Sequence, residues 1–146
     1  MFPSPPYDRL GSLRLLIARY VPERKLRTRK PPVIEHYETA NTLILKTKGP
    51  RTARQRTLPH GIVFHDDSYL TVFEEWSRAE GSLLAYKYNY LQGDQSLRYE
   101  LDKEKREGIP LHHVHSSTLS GVHVPCGSPP ADFGEVLEML VQHFVA

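Results

Sequence analysis

The sequence contains one cysteine, no long apolar run and no recognisable leader pattern. The single thiol, Cys126, excludes an intramolecular disulfide and a zinc site built on cysteines. No uncharged apolar stretch approaches the roughly 20 residues of a membrane-spanning helix. The N-terminal residues have no basic stretch before an apolar run and no small-residue cleavage site. We therefore expect no membrane span and no signal peptide, and a cytoplasmic location.

Charge is distributed unevenly along the chain. Residues 1–56 carry 13 of the 19 Lys and Arg and 4 of the 17 Asp and Glu, a net charge of +9. Residues 57–146 carry the other 6 basic and 13 acidic residues, a net charge of −7. A basic half of this kind is typical of a surface that binds nucleic acid. It is equally typical of a solvated face or of a contact with an acidic partner.

The basic half begins with a predicted amphipathic helix over 8–20, with Asp8 as a plausible N-cap. Its three arginines, Arg9, Arg14 and Arg19, are predicted to lie on the faces away from the apolar stripe. The basic stretch that follows is predicted to be an extended connector because Pro31-Pro32 closes it. We expect residues 1–32 to form an extension and residues 33–146 the domain proper. The cations predicted to bind RNA are Arg24, Lys25, Arg27, Arg29, Lys30, Arg51, Arg54 and Arg56.

The remaining sequence predicts an α+β fold, and 146 residues suffice for one core. Strand-like segments lie at 33–37, 41–48, 62–64, 69–76, 82–91 and 95–101, the later ones with clear period-two alternation. In one of them Tyr86, Tyr88 and Tyr90 share a face, which favours a packed core over a base-stacking surface. The apolar stripe from Phe133 to Phe144 predicts a helix. We expect an antiparallel β-meander of about four to six strands packed against this C-terminal helix, with an N-terminal helix.

Four of the eight histidines lie in the segment LHHVHSSTLSGVHV, residues 111–124. In a strand, His113 and His115 share one face and His112 lies on the other. His113, His115 and His123 could together bind a transition metal, although no HExxH pattern accompanies them. A histidine pair can also cleave a phosphodiester without metal, because one imidazole accepts the proton of a ribose 2′-hydroxyl and an acid protonates the leaving oxygen. Histidines that only pack are the third interpretation.

The preceding strand, SLRYEL, offers a cation for such a site. Arg98 lies on its polar face, where a guanidinium could bind a phosphate in bidentate fashion. The alternative is an ion pair between Arg98 and Glu74 or Glu100. Of the adjacent pair Glu74 and Glu75, only one can point inward, so at most one can join a site.

Several short motifs occur in a definite order: GIVFHDDSYLTVFEEW, LLAYKYNYL, the triplet Arg98-Tyr99-Glu100 and IPLHHVHSS. In this order and spacing, the chain resembles the TumE family of toxins from prokaryotic toxin–antitoxin pairs. The similarity covers residues 33–146. The sequence departs from the family pattern in three places: a turn glycine is missing beside Ser68, Glu100 replaces an aspartate, and the loop DKEKREG replaces a histidine pair.

This resemblance implies a growth-inhibiting toxin that a cognate helix-turn-helix antitoxin neutralises. Together with the histidines and the basic half, it leads us to expect a metal-independent ribonuclease that needs no cofactor and takes RNA as its partner. The predicted catalytic residues are His113 and His115 as the acid/base pair, Arg98 as the phosphate-binding cation, and Tyr99 and His112 as second choices. The alternatives are a non-catalytic module that binds nucleic acid or protein, and a metal-dependent hydrolase with His113, His115 and His123. Self-association is left open.

Overall fold

The computed structural model describes residues 8–50, 52–54, 58–102, 111–118, 126–127 and 131–146. Within these ranges the chain forms two α-helices, one 3-10 turn and eight strands. The helices are α1 (Arg9–Tyr20) and α2 (Phe133–His143), and the 3-10 turn is Glu23–Lys25. The strands are β1 (Ile34–Glu38), β2 (Thr42–Thr47), β3 (Ile62–Val63), β4 (Tyr69–Ser77), β5 (Leu83–Gln92), β6 (Gln95–Leu101), β7 (His112–Thr118) and β8 (Cys126–Gly127).

The strands form one antiparallel sheet. Its order is β1-β2-β4-β5-β6-β7-β8, and β3 pairs with β4. Most strands therefore pair with the strands that precede and follow them in the sequence, as we expected for a meander. The α+β class is confirmed. The six predicted segments correspond to β1–β6, and the structure adds β7 and the two-residue strand β8, which is too short to produce a periodic pattern.

The turn between β3 and β4 explains one departure from the family pattern. Asp67 has a φ of +68°, in the left-handed region that glycine adopts most readily. Aspartate is among the few other residues that tolerate this conformation. The amide nitrogen of Asp67 is 3.0 Å from the carbonyl oxygen of Phe64, which closes the turn. The chain therefore keeps the turn without the glycine.

Both helices pack against one face of the sheet, and the core lies between them. Leu13 of α1 and Leu137 of α2 are fully buried there. Tyr86 and Tyr88 are each 1% exposed on the sheet side, and the ring of Tyr88 lies 5.4 Å from that of Phe133. The prediction that the tyrosine row packs in the core is confirmed. The division into an extension over 1–32 and a domain over 33–146 stays a prediction, although α1 shares this core.

No helix among the described residues is long and apolar enough to cross a membrane. The two α-helices contain 12 and 11 residues.

One prediction for α1 is wrong: Arg9 does not lie on an outer face but is buried against the sheet, 8% exposed. Its Nε and one terminal nitrogen each lie 2.7 Å from a carboxylate oxygen of Glu74, which is fully buried on β4. Glu74 also accepts hydrogen bonds from Trp76 Nε1 at 2.9 Å and from the Tyr88 hydroxyl at 2.5 Å. Burial lowers the pKa of Arg9, but the hydrogen bonds and charge of Glu74 outweigh burial and raise it.

Removal of the Arg9 side chain is expected to destabilise the fold, because Glu74 would stay buried without its cation. For the Arg9→Ala variant we expect the free energy of unfolding to fall by about 3–5 kcal/mol, measured by urea denaturation. The control is Arg14→Ala, which removes an exposed arginine from the same helix. It is expected to stay within about 0.5 kcal/mol of the wild type. Equal losses in the two variants would contradict a special role for the buried pair.

Candidate functional site

A polar site lies on the face of the sheet opposite the two helices. Directly paired residues on adjacent strands point to the same face, so the strand register determines which side chains meet. Glu100 pairs with His113, and Arg98 pairs with His115, across β6 and β7. Lys87 of β5 pairs with Glu100 from the other side. Three neighbouring strands thus bring cations, a carboxylate and two imidazoles together.

The carboxylate of Glu100 is the centre of this arrangement. Its Oε2 lies 3.4 Å from Nε2 of His113 and 3.4 Å from Nε2 of His115. Arg98 Nε lies 3.2 Å from the same oxygen, and Lys87 Nζ lies 3.5 Å from Oε1. The two imidazole rings are 4.6 Å apart and inclined at 73°. We call Arg98, Glu100, His113 and His115 the β6–β7 cluster.

Burial differs across the cluster. His113 is 1% exposed, Glu100 is 7% exposed and His115 is 8% exposed. The side chains of Arg98 and Lys87 are 31% and 47% exposed. Solvent therefore reaches the two cations first and the histidines last. A ligand that approached the cluster would meet Arg98 and Lys87 before it met an imidazole.

The charge of Glu100 is maintained by its neighbours. Burial alone would raise the pKa of Glu100, but the positive charges of Arg98 and Lys87 and a hydrogen bond with Asp102 outweigh burial. The pKa of Glu100 is therefore lowered from its ordinary 4.5. Glu100 is an anion at neutral pH, so it can hold the two imidazoles and the guanidinium in place.

This pKa makes the stability contribution of Glu100 dependent on pH. Because the pKa is lower in the folded than in the unfolded chain, the contribution is present above the ordinary 4.5 and is lost as pH falls through the folded-state value. We expect Glu100→Gln to be less stable than the wild type at neutral pH, and the difference to shrink in more acidic buffers. Urea denaturation between about pH 7 and pH 3 measures this.

The control for that series is Glu80→Gln, which removes one negative charge at an exposed turn. A stability difference between Glu100→Gln and the wild type that is constant over the whole pH series would contradict the role of the ionised carboxylate.

The structure brings together three of the predicted catalytic residues, Arg98, His113 and His115. The predicted alternative for Arg98, an ion pair with Glu100, is present as well. The two second choices lie on the opposite face. Tyr99 packs against the core, and Nδ1 of His112 lies 2.9 Å from the Tyr86 hydroxyl.

The sequence analysis identified Glu100 as a possible ion-pair partner of Arg98 and as part of the triplet Arg98-Tyr99-Glu100, but did not link it to the histidines. Its position two residues after Arg98 places both on one face, but the register with β7 was needed to see that it joins the histidines. His123, the third histidine of the predicted metal site, lies outside the described residues.

The basic segment lies at a distance from this cluster. Leu26 forms a bridge with Phe64, and the amide of Arg27 donates to Val63 at 3.0 Å, so the segment runs beside β3. From there to β7 there are five strand spacings, about 24 Å. Lys25 Nζ donates to the main-chain oxygen of Ala146 at 2.8 Å.

The other predicted RNA-binding cations differ in how they are placed. Arg27 Nε lies 3.5 Å from Asp67, and both side chains are more than half exposed. Arg24, Arg29, Lys30 and Arg54 are exposed. Arg51 and Arg56 lie outside the described residues.

A metal could also use part of the cluster. Glu100, His113 and His115 each offer one ligand atom, and these atoms lie within 4.8 Å of one another. Two imidazoles and a carboxylate suit a transition metal such as zinc. However, Arg98 and Lys87 already neutralise the same carboxylate at 3.2 and 3.5 Å. Their charges would repel a divalent cation at this position.

Comparison with known proteins identifies a family. A family model described as Toxin TumE matches residues 28–143. This range contains all four residues of the β6–β7 cluster, the eight strands and α2. No curated protein matches the chain, and no solved structure does.

Proposed function

Because the chain belongs to the TumE toxin family, we propose that it is the growth-inhibiting half of a toxin–antitoxin pair and acts on RNA as a metal-independent ribonuclease. The observation that carries the proposal is the convergence of two histidines and an arginine on one carboxylate. Proton transfer needs two groups that titrate near neutral pH, and histidine is the side chain suited to this. A charged phosphate needs a cation beside them, and Arg98 supplies it.

In the proposed reaction the ribose 2′-oxygen forms a bond to the adjacent phosphorus, and the bond from phosphorus to the 5′-oxygen breaks. His115, the more exposed imidazole and the register partner of Arg98, accepts the proton of the 2′-hydroxyl. His113 in its protonated form gives a proton to the leaving 5′-oxygen. The products are a 2′,3′-cyclic phosphate and a 5′-hydroxyl. Proton exchange with water returns both imidazoles to their starting states.

Arg98 and Glu100 have different roles in this proposal. Arg98 directs Nε toward Glu100 and has nearly a third of its side chain exposed, so its outer nitrogens can bind the phosphate as negative charge builds up. Glu100 contacts both imidazoles and the guanidinium and takes no part in the proton transfers. It is a positioning residue that fixes the relative positions of the two imidazoles and the guanidinium.

Replacement of either histidine is expected to remove the toxin's effect. For His113→Gln and for His115→Gln we expect RNA cleavage to fall by about 10²–10⁴-fold, the usual contribution of a general acid or base. Each variant is expressed from an inducible promoter in a bacterial host, and growth and total RNA are followed together. Purified protein is assayed in parallel on a single-stranded RNA in buffer containing EDTA.

The matched control is His36→Gln, which changes an exposed histidine on β1 and is expected to retain toxicity and cleavage. Growth arrest by the wild type and both cluster variants alike, at equal soluble levels, would favour the non-catalytic binding module. Loss of wild-type cleavage in EDTA with recovery on addition of zinc or manganese would favour the metal-dependent hydrolase at Glu100, His113 and His115.

We further propose that the exposed cations of the basic segment bind the RNA backbone outside the reaction centre. Arg24, Arg29 and Lys30 lie well away from β7, so they would contact phosphates several nucleotides from the one that is cleaved. Such contacts release counterions, and each makes binding more sensitive to salt. An acidic surface of the antitoxin is the other ligand that these cations would suit.

A salt titration separates these two partners. For the double variant Arg24→Gln/Lys30→Gln, the slope of log binding constant against log salt concentration with single-stranded RNA is expected to become shallower by about 1.4. The control is Arg14→Gln/Arg19→Gln, which removes two exposed cations of α1 that lie outside the predicted RNA-binding set. An unchanged RNA slope together with a weaker antitoxin complex would assign the segment to the antitoxin.

A further inference from the structure

A small cavity lies beside the β6–β7 cluster on the same face of the sheet. Its volume is about 260 Å³, and its lining includes Phe73, Ala85, Lys87, Glu100 and Asp102. The strand register explains the lining, since Phe73 pairs with Lys87 and Lys87 pairs with Glu100. The cavity therefore shares the Lys87–Glu100 ion pair with the cluster.

Phe73 is unusual for an aromatic residue in the middle of a sheet. Its neighbours in β4, Val72 and Glu74, are buried beneath the helices, and Phe73 points the other way. Neither α1 nor α2 covers it, and its side chain is half-buried. Phe73 therefore contributes an aromatic surface to the cavity rather than to the core.

Cations flank this ring on both sides. Lys46 pairs with Phe73 from β2, and Lys87 pairs with it from β5; both lysines are exposed. Lys46 Nζ also lies 5.2 Å from the centre of the Tyr37 ring, a second aromatic side chain on this face. Proteins bind single-stranded nucleic acid by combining aromatic rings with cations, as this sheet face opposite α1 and α2 does. Such a ring stacks on a base, and the cations contact the phosphates on either side.

We infer that the cavity is a binding site for one unpaired base of single-stranded RNA, stacked on Phe73. This inference rests on the proposed action on RNA and names the form of RNA that the site accepts. Phe73 lies two strand spacings from Glu100, about 10 Å. The stacked base therefore belongs to a nucleotide close to the phosphate held by Arg98. A base in a duplex is already stacked and paired, so it would not enter the cavity.

The test measures binding without cleavage. The probe is a fluorescein-labelled 2′-O-methyl-RNA hexanucleotide of mixed sequence, which lacks the 2′-hydroxyl that the reaction requires. For Phe73→Leu, which keeps an apolar side chain but removes the ring, we expect affinity to fall by about five- to 150-fold, the range for loss of one stacked base. The control is Ile44→Ala, which shortens an apolar side chain on the same face outside the cavity. It is expected to retain wild-type affinity.

A second probe with abasic positions makes the test specific to stacking. The wild type is expected to bind it more weakly than the full hexanucleotide, and Phe73→Leu to bind it no more weakly than the wild type does. Equal affinity of wild type and Phe73→Leu for the full probe would overturn the inference, as would equal affinity of the wild type for the two probes.

The same measurements separate this inference from the proposed ribonuclease activity. If the wild type cleaves RNA but Phe73→Leu binds the full probe unchanged, the inference fails and the ribonuclease stands. If the wild type leaves RNA intact but binds the full probe in a manner that depends on Phe73, the ribonuclease fails and the base site stands.

Discussion

The buried ion pair between Arg9 and Glu74 is the constraint on which both faces of the sheet depend. A carboxylate without exposure to solvent is tolerated only where a cation and hydrogen-bond donors satisfy it. Arg9 can do this only if α1 lies across β4 with Glu74 pointing inward. Because successive residues of a strand alternate between faces, this also fixes Phe73 on the outer face. A shift of one residue in β4 would expose Glu74 and bury Phe73, so the inner pair and the outer site are determined together.

The two buried carboxylates of the sheet illustrate how similar contacts lead to different roles. Glu74 is fully enclosed, and Arg9 at 2.7 Å is itself buried. No ligand could reach this pair without separating α1 from the sheet, so its role is structural. Glu100 is almost as buried, but Arg98 and Lys87 extend from it toward solvent. These two cations can contact an incoming anion while the carboxylate remains satisfied by the histidines. Only the second arrangement can exchange partners with a ligand, which is what a binding or catalytic site requires.

The elements were predictable from the sequence because the patterns that mark them are local. The alternation in β5 and the apolar stripe of α2 each depend on residues a few positions apart, and both predictions are confirmed. The burial of Arg9 was not predicted, although Arg9, Leu13 and Ile17 are spaced four apart on one helix face. An arginine can be buried on such a face only where an acidic partner such as Glu74 lies opposite it, and the sequence of the helix does not show that partner. The link between Glu100 and the histidines was missed for a related reason. It depends on the register between β6 and β7, and no local pattern specifies that register.

The basic segment and the β6–β7 cluster lie in different parts of the structure. The cations of the strongly basic first half were predicted to bind the RNA backbone, and the segment around Leu26 lies about 24 Å from β7 across the sheet. Among the described residues, the cations that contact Glu100 beside His115 are Arg98 and Lys87, both from the acidic half of the sequence. The described residues of the basic segment therefore lie apart from the β6–β7 cluster. At that distance the segment's charges act through the long-range attraction of an anionic partner, and this effect weakens as salt shortens the screening length. A partner that binds the basic segment and one that binds the cluster can consequently differ.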